Sequence, residues 1–261
     1  MALLETIGSQ AISSIQKAKL YEGDQMKSEF VSIASHELLT PISAIEGYLS
    51  MILDEHIGKV DPQARSYLGK VYTSSKRLSL LIKDLLSVSR IEAGHMKIDP
   101  QSLDINKTIN EAIDQLKFVA QDKKLTLTYE KPAHPFPPVW ADPDRVTQVL
   151  VNLISNAIKY TPAGTVTLRA TLQAAAKHIK IEIIDTGMGM SKSAQSHLYE
   201  KFYRIDSPET AGIVGTGLGL YITKSIIERM GGSIAVKSEV GVGSTFAFTL
   251  PLFQVEDSPL G

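Results

Sequence analysis

A histidine, an acidic residue and a proline lie together in the run SHELLTP, residues 35–41. The unperturbed pKa of histidine, about 6.5, leaves much of the His36 imidazole uncharged at pH 7, so the ring can act as a nucleophile. Two helical steps turn by about 200°, so His36 should face solvent if Leu38 faces the core. Pro41 removes a backbone hydrogen bond and allows the helix to bend there. The alternative interpretation is an idle surface histidine before a kink.

Two amide side chains share one helical face in the run NLISNAIKY, residues 152–160. Asn152 and Asn156 are four positions apart, and Lys159 and Tyr160 follow one turn later. Asparagine is a poor helix former, so this pair indicates a function. An amide oxygen suits a magnesium ion that is already bound to phosphates. A solvent-exposed polar face is the alternative, and it fits poorly beside the apolar residues around the pair.

Glycine-rich segments follow further along the chain. In IDTGMGM, Asp185 ends an apolar strand and precedes Gly187 and Gly189. In GTGLGLYI, glycines open a helical run whose backbone N–H groups can face an anion, at Gly215, Gly217 and Gly219. Another glycine pair stands in GVGSTF. Taken alone, the first segment would more readily be an ordinary strand-to-turn aspartate, the second could equally be a tight turn, and the third would be a hairpin turn.

Composition excludes several classes of protein. The 261 residues include 27 basic and 28 acidic side chains, so the net charge of −1 indicates neither nucleic acid nor an anionic membrane as partner. The absence of cysteine excludes a disulfide framework and a thiol nucleophile. No stretch approaches the ~20 apolar residues of a membrane helix, so we expect no membrane contact from this segment.

The first hundred residues have a helical pattern with almost no strand signal. Gly58 and the Asp61–Pro62 pair predict the end of one helix and the start of the next. The second helix carries a heptad seam, which requires a partner helix, at Leu68, Val71, Ser75, Leu78, Ile82 and Leu85. The seam could close within one hairpin, but two helices make a thin core, so a dimeric four-helix bundle is favoured.

The remaining residues combine strands and helices, the pattern of an α/β layer domain. Alternating residues predict strands in LTLTYE, GTVTLRATL, HIKIEIID, GSIAVKS and STFAFTLP. Helical stretches are expected near residues 104–121, 142–160 and 216–230. The boundary between the two parts is expected near residues 94–100.

Taken in order, the amide and glycine segments resemble the N, G1, G2 and G3 boxes of the ATP-binding domain shared by histidine kinases, gyrase, heat-shock chaperones and mismatch-repair ATPases. YEKFYRID, which contains Phe202, resembles the F box of the kinase branch, and SHELLTP resembles the phosphoacceptor motif. Over about residues 26–250 the chain therefore resembles the core of a sensor histidine kinase of a two-component system. Its first 25 residues resemble, less specifically, the exit helix of a GAF sensor domain.

The resemblance implies an α+β fold: a helical hairpin that forms a dimeric four-helix bundle, followed by an α/β sandwich ATP-binding domain of the Bergerat type. The expected organisation is a signalling helix or linker (1–25), a dimerisation and histidine phosphotransfer domain (26–93), a linker (94–103), a catalytic ATP-binding domain (104–253) and a tail (254–261).

The resemblance also implies roles for matched residues of the first domain. His36 is the phosphoacceptor, Glu37 is the acid that prepares it, and Thr40 orients a water that dephosphorylates the partner. Thr40 could instead be the N-cap of a helix that resumes at Pro41. The family usually has Arg or Lys two positions before this proline, and Leu39 stands there instead.

In the second domain, the resemblance implies that Asp185 accepts a hydrogen bond from the adenine amino group and that Asn156 binds Mg²⁺. Arg204 would approach the γ-phosphate from a lid at about residues 191–216, with Phe202 as a hydrophobic latch. The other implied contacts with ATP are Asn152, Lys159, Tyr160, Gly187, Gly189, Gly215, Thr216, Gly217, Leu218, Gly219 and Thr245, of which Thr245 helps a water bridge Asp185 to adenine.

The hydrolysing branches have a glutamate at position 152, which activates water, and an amide cannot take that proton. We therefore expect a cytoplasmic, homodimeric histidine kinase with ATP and Mg²⁺ as cofactors. It would phosphorylate His36, pass the phosphoryl group to an aspartate of a response-regulator receiver domain, and dephosphorylate that regulator. The alternatives are a hydrolytic ATPase or chaperone of the same nucleotide fold, and a degenerate kinase that acts as a signalling scaffold.

Overall fold

The computed structural model describes residues 35, 37–56, 58–205, 207, 209–210, 213 and 215–254. The chain divides between Met96 and Lys97 into two compact units. His36, the segment 1–25 and most of the tail 254–261 lie outside the described residues, so the predictions for them stay predictions. None of the described helices combines the length and the apolar character needed to cross a membrane.

The first unit contains a helical hairpin, as the sequence predicts. Helix α1 covers residues 37–53 in its described part, and α2 runs over Pro62–Glu92. Asp61 caps α2 by accepting hydrogen bonds from the N–H groups of Gln63 at 2.8 Å and Ala64 at 3.1 Å. Pro62 follows at the first helical position, where its missing N–H has no cost. The predicted start of the second helix is thereby confirmed.

Arg65 connects the two ends of the hairpin. Its guanidinium donates to the Leu53 carbonyl oxygen at 2.6 Å and to Glu55 Oε1 at 2.5 Å. The first bond satisfies one of the last carbonyl groups of α1, which have no partner within the helix. The Arg65 side chain therefore supports the turn between α1 and α2.

A single hairpin does not bury the predicted seam of α2. Ile82 is 7% exposed, whereas Val71, Leu78 and Leu85 are each about half exposed, at 50%, 47% and 46%. On α1, Leu38 is 52% exposed although the sequence places it in the core. The single hairpin therefore does not support the inference that His36 faces solvent because Leu38 faces inward.

The second unit is a two-layer sandwich. Its main sheet has the strand order β2-β4-β5-β7-β6, and β1 and β3 form a small antiparallel pair. The strands are Gln101–Leu103 (β1), Thr126–Glu130 (β2), Val139–Ala141 (β3), Thr165–Gln173 (β4), His178–Asp185 (β5), Ile234–Glu239 (β6) and Gly243–Pro251 (β7). The α-helices are Ile105–Asp122 (α3), Pro143–Tyr160 (α4), Lys192–His197 (α5) and Gly219–Arg229 (α6), and Ala174–Ala176 form a 3₁₀ turn.

Strand β5 shows how the sheet separates core from solvent. Its alternate residues Ile179, Ile181, Ile183 and Asp185 are buried on the face that the helices cover. The opposite face carries polar pairs, such as Lys180 with Glu182 at 2.6 Å. The row of buried isoleucines thus ends in a buried carboxylate.

The five strands of the main sheet match the predicted ones, and α3, α4 and α6 match the predicted helices. Three elements were not predicted: β1 and β3, whose three residues are too few to show alternation, and α5, whose six residues make less than two helical turns. Strand β1 lies in the segment 94–103 that was predicted to be a linker, and it pairs with β3 of the second unit.

Candidate nucleotide-binding site

A buried carboxylate at the end of β5 begins the site. Asp185 is 6% exposed, and its Oδ1 accepts hydrogen bonds from the N–H groups of Gly187 at 2.9 Å and Ser244 at 3.2 Å. Burial raises the pKa of the Asp185 carboxyl, while the two backbone hydrogen bonds act in the opposite direction. Both bonds use Oδ1, so among the described residues Oδ2 has no partner and can accept a hydrogen bond from a ligand.

The chain after Asp185 passes so close to α4 that only glycine fits. A Cβ at Gly187 would lie 2.5 Å from the Tyr160 carbonyl oxygen and 2.8 Å from Asp185 Oδ1. The N–H of Met188 donates to the same Tyr160 carbonyl at 3.1 Å. Gly187 therefore allows the loop after β5 to pack against the C-terminal end of α4.

Helix α4 carries the two predicted asparagines on one half-buried face. Asp142 caps the helix by accepting from the N–H groups of Asp144 at 3.0 Å and Arg145 at 3.2 Å. Asn152 donates from Nδ2 to Thr223 Oγ1 of α6 at 2.7 Å. The side-chain amide of Asn156 has no hydrogen-bond partner within the described part of the chain, so it can bind a ligand.

The last turn of α4 ends at Tyr160, which is half-buried, and exposes Lys159. Lys123 Nζ donates to the carbonyl oxygens of this turn, at 2.8 Å to Ile158 and 3.1 Å to Lys159. A lysine at this end satisfies carbonyl groups that the helix leaves open and favours its dipole. The sequence offered no signal for Lys123, because it lies 35 residues from Ile158.

The N-terminus of α6 faces α4. Leu218 is the N-cap and makes no side-chain cap, although its own N–H donates to Thr216 Oγ1 at 3.2 Å. The N–H groups of the first turn are therefore available to an anion. Gly219 packs against Asn152, because a Cβ there would lie 2.7 Å from Asn152 Oδ1. A Cβ added at Gly215 would meet nothing within 4 Å, so no neighbouring residue requires a glycine there.

Gly217 joins this helix to the predicted lid. Its φ of +75° is a conformation that favours glycine, and a Cβ there would lie 2.7 Å from the backbone carbon of Phe202. Phe202 itself has a φ of +62°, and its side chain is 61% exposed. A positive φ at a bulky residue is strained, so the turn at Phe202 is maintained by the packing around it.

The predicted lid arginine contacts the lid backbone. Arg204 donates from Nη1 to the Gly215 carbonyl oxygen at 3.2 Å and from Nη2 to that of Ile213 at 2.6 Å. Within the predicted lid, the short helix α5 begins after its cap Ser191, whose hydroxyl accepts from the Ala194 N–H at 3.2 Å. In this structure the guanidinium connects two parts of the lid.

The prediction for Thr245 is wrong by one position. Thr245 pairs with Ile184 across the antiparallel β5–β7 ladder, and Ser244 pairs with Asp185. Directly opposite residues project to the same face, so Thr245 projects to the face opposite Asp185. Ser244 instead lies beside the carboxylate and donates its N–H to it. The alternation of Ser244 with buried Phe246 and Phe248 was the signal that could have identified it.

In the first unit, Glu37 and Thr40 are exposed residues of α1. Residues 37–53 form one uninterrupted helix that passes through Pro41. The alternative interpretation of Thr40, as the N-cap of a helix that resumes at Pro41, is therefore wrong.

Two family models match the chain and together cover more than half of it. The His Kinase A (phospho-acceptor) domain matches residues 26–94. The histidine kinase-, DNA gyrase B-, and HSP90-like ATPase matches residues 141–254.

Curated relatives cover nearly the whole chain. The non-motile and phage-resistance protein of Caulobacter vibrioides is 36% identical over 91% of this chain, and the sensor protein SrrB of Staphylococcus aureus is 38% identical over 87%. The chain spans 28% and 38% of the length of these two proteins.

Solved structures show the same fold. Full-length ShkA in complex with AMPPNP superposes with a TM-score of 0.73 at 28% identity, covering 87% of this chain and 46% of ShkA. The histidine kinase AdeS of Acinetobacter baumannii superposes with a TM-score of 0.58 at 26% identity, covering 84% of this chain and 98% of that one.

The chain therefore contains a phospho-acceptor domain and an ATPase domain of the histidine kinase family. Its second unit contains the ATP-binding domain of that family. The predicted resemblance to a sensor histidine kinase core and the α+β fold class are confirmed.

Proposed function

We propose that this chain is the core of an autokinase that phosphorylates His36 and passes the phosphoryl group to an aspartate of a response-regulator receiver domain. The observation that carries the proposal is the constellation around α4. The buried carboxylate of Asp185, the amide face of α4 and the N-terminus of α6, which has no side-chain cap, lie close to one another there, and position 152 is not an acid that could activate water.

Asp185 is proposed to recognise adenine. Its Oδ1 is already engaged by two backbone N–H groups, so Oδ2 accepts from the adenine amino group. Guanine presents a carbonyl oxygen at that position and would repel the carboxylate. Ser244, rather than Thr245, lies opposite Asp185 and is therefore proposed to support the bridging water.

The phosphates are proposed to bind between α4 and the N-terminus of α6. The described residues contain no group of three or more His, Cys, Asp or Glu that could hold a metal ion. A magnesium ion bound mainly by nucleotide phosphates needs few protein ligands, and the free amide of Asn156 fits that need. Magnesium would neutralise charge on the β- and γ-phosphates. Lys159 adds a cation at the same end of α4.

The γ-phosphoryl group is proposed to go to His36 because position 152 carries an amide in place of an acid that could activate water. The Asn152 amide cannot take a proton, and its Nδ2 is bonded to Thr223. In the transfer, a ring nitrogen of His36 bonds to the γ-phosphorus while the bond to the β–γ bridging oxygen breaks and ADP leaves. Glu37 accepts a hydrogen bond from the other ring nitrogen. Arg204 would approach the γ-phosphate when its hydrogen bonds to the Gly215 and Ile213 carbonyl oxygens open.

A homodimer is proposed because the hairpin exposes much apolar surface. Large apolar side chains with at least 46% exposure lie on α1 at Leu38, Ile45, Tyr48 and Met51, and on α2 at Tyr67, Val71, Leu78, Leu80 and Leu85. A second hairpin that covers the α2 seam would complete a four-helix bundle. We also propose a cytoplasmic location, because the proposed reaction consumes ATP and needs a receiver domain.

The test is incubation of the chain with γ-labelled ATP, followed by treatment of the product with acid and with base. We expect label that acid removes and base does not, and none on His36→Gln. His56→Gln is the matched control, since His56 is an exposed histidine after α1. Continuous phosphate release without protein label would favour the hydrolytic ATPase, and failure to bind a labelled ATP analogue would favour the scaffold.

A further inference from the structure

Thr223 is a buried polar side chain that is not among the site residues predicted from the sequence. It lies on α6, one turn after Gly219, and is 2% exposed. Its Oγ1 accepts a hydrogen bond from Asn152 Nδ2 at 2.7 Å. This contact joins α4 to α6 across 71 residues of sequence. A buried hydroxyl without a partner is unfavourable, so the two side chains stabilise each other's position.

The contact determines which way the Asn152 amide points. With Nδ2 bonded to Thr223, Oδ1 lies on the side of Gly219, where a Cβ would be 2.7 Å from Oδ1 and 3.2 Å from Nδ2. Gly219 is the first residue of α6, whose N–H groups have no side-chain cap. The amide oxygen is therefore held next to the proposed phosphate-binding end of the helix.

We propose that Thr223 is a positioning residue for ATP and its metal ion: it holds Asn152 so that the amide face of α4 and the N-terminus of α6 form one rigid binding surface. The inference rests on the proposed nucleotide site and adds a residue that does not itself contact ATP. Without the hydroxyl, the Asn152 side chain can rotate, and each ATP molecule that binds must order it again.

The experiment is calorimetric titration of the full chain with a non-hydrolysable ATP analogue, with and without Mg²⁺. Thr223→Val keeps the shape and removes the hydroxyl, and we expect affinity for the analogue with Mg²⁺ to fall about tenfold, as for the loss of one hydrogen bond. Thr223→Ser should restore affinity to near the parent value. Thr108→Val is the matched control. Thr108 lies on α3 and is 3% exposed, and its hydroxyl donates to the carbonyl oxygen of Asp104, the N-cap of the same helix.

A double-mutant cycle separates positioning from a general loss of stability. If Thr223 acts through Asn152, then Thr223→Val should have no further effect on affinity in the Asn152→Ala background. An equal loss in both backgrounds, or parent affinity in Thr223→Val, would overturn the inference alone. Absence of analogue binding by the parent chain would overturn the proposed function and this inference with it.

Discussion

At the scale of single residues, the site depends on a carboxylate that is costly to the fold. Asp185 ends a row of buried isoleucines and is itself 6% exposed. Burial raises its pKa because the charged form loses hydration, and two backbone N–H groups compensate only in part. An apolar residue at this position would avoid the cost of burying a carboxylate, so the presence of Asp185 indicates a role in binding a ligand.

Replacing Asp185 with Asn should therefore separate binding from stability. The amide oxygen can keep both backbone hydrogen bonds, but the other atom becomes a donor that faces the adenine amino group. We expect ATP affinity to fall on the order of a hundredfold, since a hydrogen bond to a charged group contributes about 1.5–3 kcal/mol. Calorimetry with ATP measures this, with Asp114→Asn on the surface of α3 as control. Near-parent affinity would contradict the adenine assignment.

The same variant should be more stable than the parent, by an amount that grows with pH. The pKa of Asp185 is higher in the folded chain than in the unfolded chain. The contribution of the Asp185 side chain to the free energy of unfolding is therefore fully present below the ordinary pKa of aspartate, and it is lost as the pH rises through the pKa of the folded state. The amide has no such loss. Urea unfolding of the ligand-free chains at pH 4 and pH 7 should show the larger advantage at pH 7.

Tyr199 also has a buried polar group that destabilises the fold, and no role in binding is proposed for it. Burial raises the pKa of Tyr199 to about 12, and among the described residues its hydroxyl has no hydrogen-bond partner. Tyr199→Phe should raise the free energy of unfolding by about 1 kcal/mol, because a buried unpaired hydroxyl is removed. Tyr129→Phe is the opposite control and should lower it, since the Tyr129 hydroxyl donates to Asn106 at 2.5 Å. Denaturant titration that finds both variants destabilised would contradict the interpretation.

At the scale of elements, the proposed site combines the end of one strand, one face of a helix and the start of another helix. The strand β5 delivers Asp185, helix α4 presents its amides to one side, and α6 begins without a side-chain cap at the same place. In the first unit, α1 continues through Pro41 with Thr40 on its exposed surface. A continuous helix keeps residues four apart on one side, so Thr40 shares the face expected for His36.

Thr40→Ala tests the role of that face. Thr40 is not a cap, so the substitution should cost no capping energy, and alanine in a helix interior is favourable by a few tenths of a kcal/mol. We expect autophosphorylation close to the parent rate and loss of dephosphorylation of the phosphorylated regulator. The measurement is phosphate release from a receiver domain labelled on aspartate. Release at the parent rate would remove Thr40 from the proposed phosphatase reaction.

At the scale of the whole molecule, nucleotide binding and dimerisation are proposed for different compact units. The second unit contains the residues of the proposed nucleotide site and has its own core. The first unit leaves the middle of its α2 seam about half exposed, although a heptad seam is stabilised only when a partner helix covers it.

Residues 97–261 alone should therefore be a monomer that binds ATP, while the full chain should be a dimer. This boundary keeps Asp99, whose N–H donates to Asp142 at 3.0 Å, with the second unit. In the full chain, Leu78→Glu on the seam should weaken the dimer. Leu80→Glu, at a similarly exposed position off the seam, should weaken it less. Light scattering measures all of these, and a dimeric fragment 97–261 would contradict the assignment of the interface to the hairpin.

The sequence by itself determined the order of elements and the ligand class. Alternation placed the five strands of the main sheet, the Asp61–Pro62 pair marked a helix start, and the asparagines and glycines indicated a nucleotide site. These signals are local, because periodicity and capping act within one or two turns. Only the tertiary structure decided that Ser244 rather than Thr245 lies beside Asp185, and that Thr223 holds Asn152. Strand register and contacts across 59 or 71 residues depend on how whole elements pack, and no local pattern encodes them.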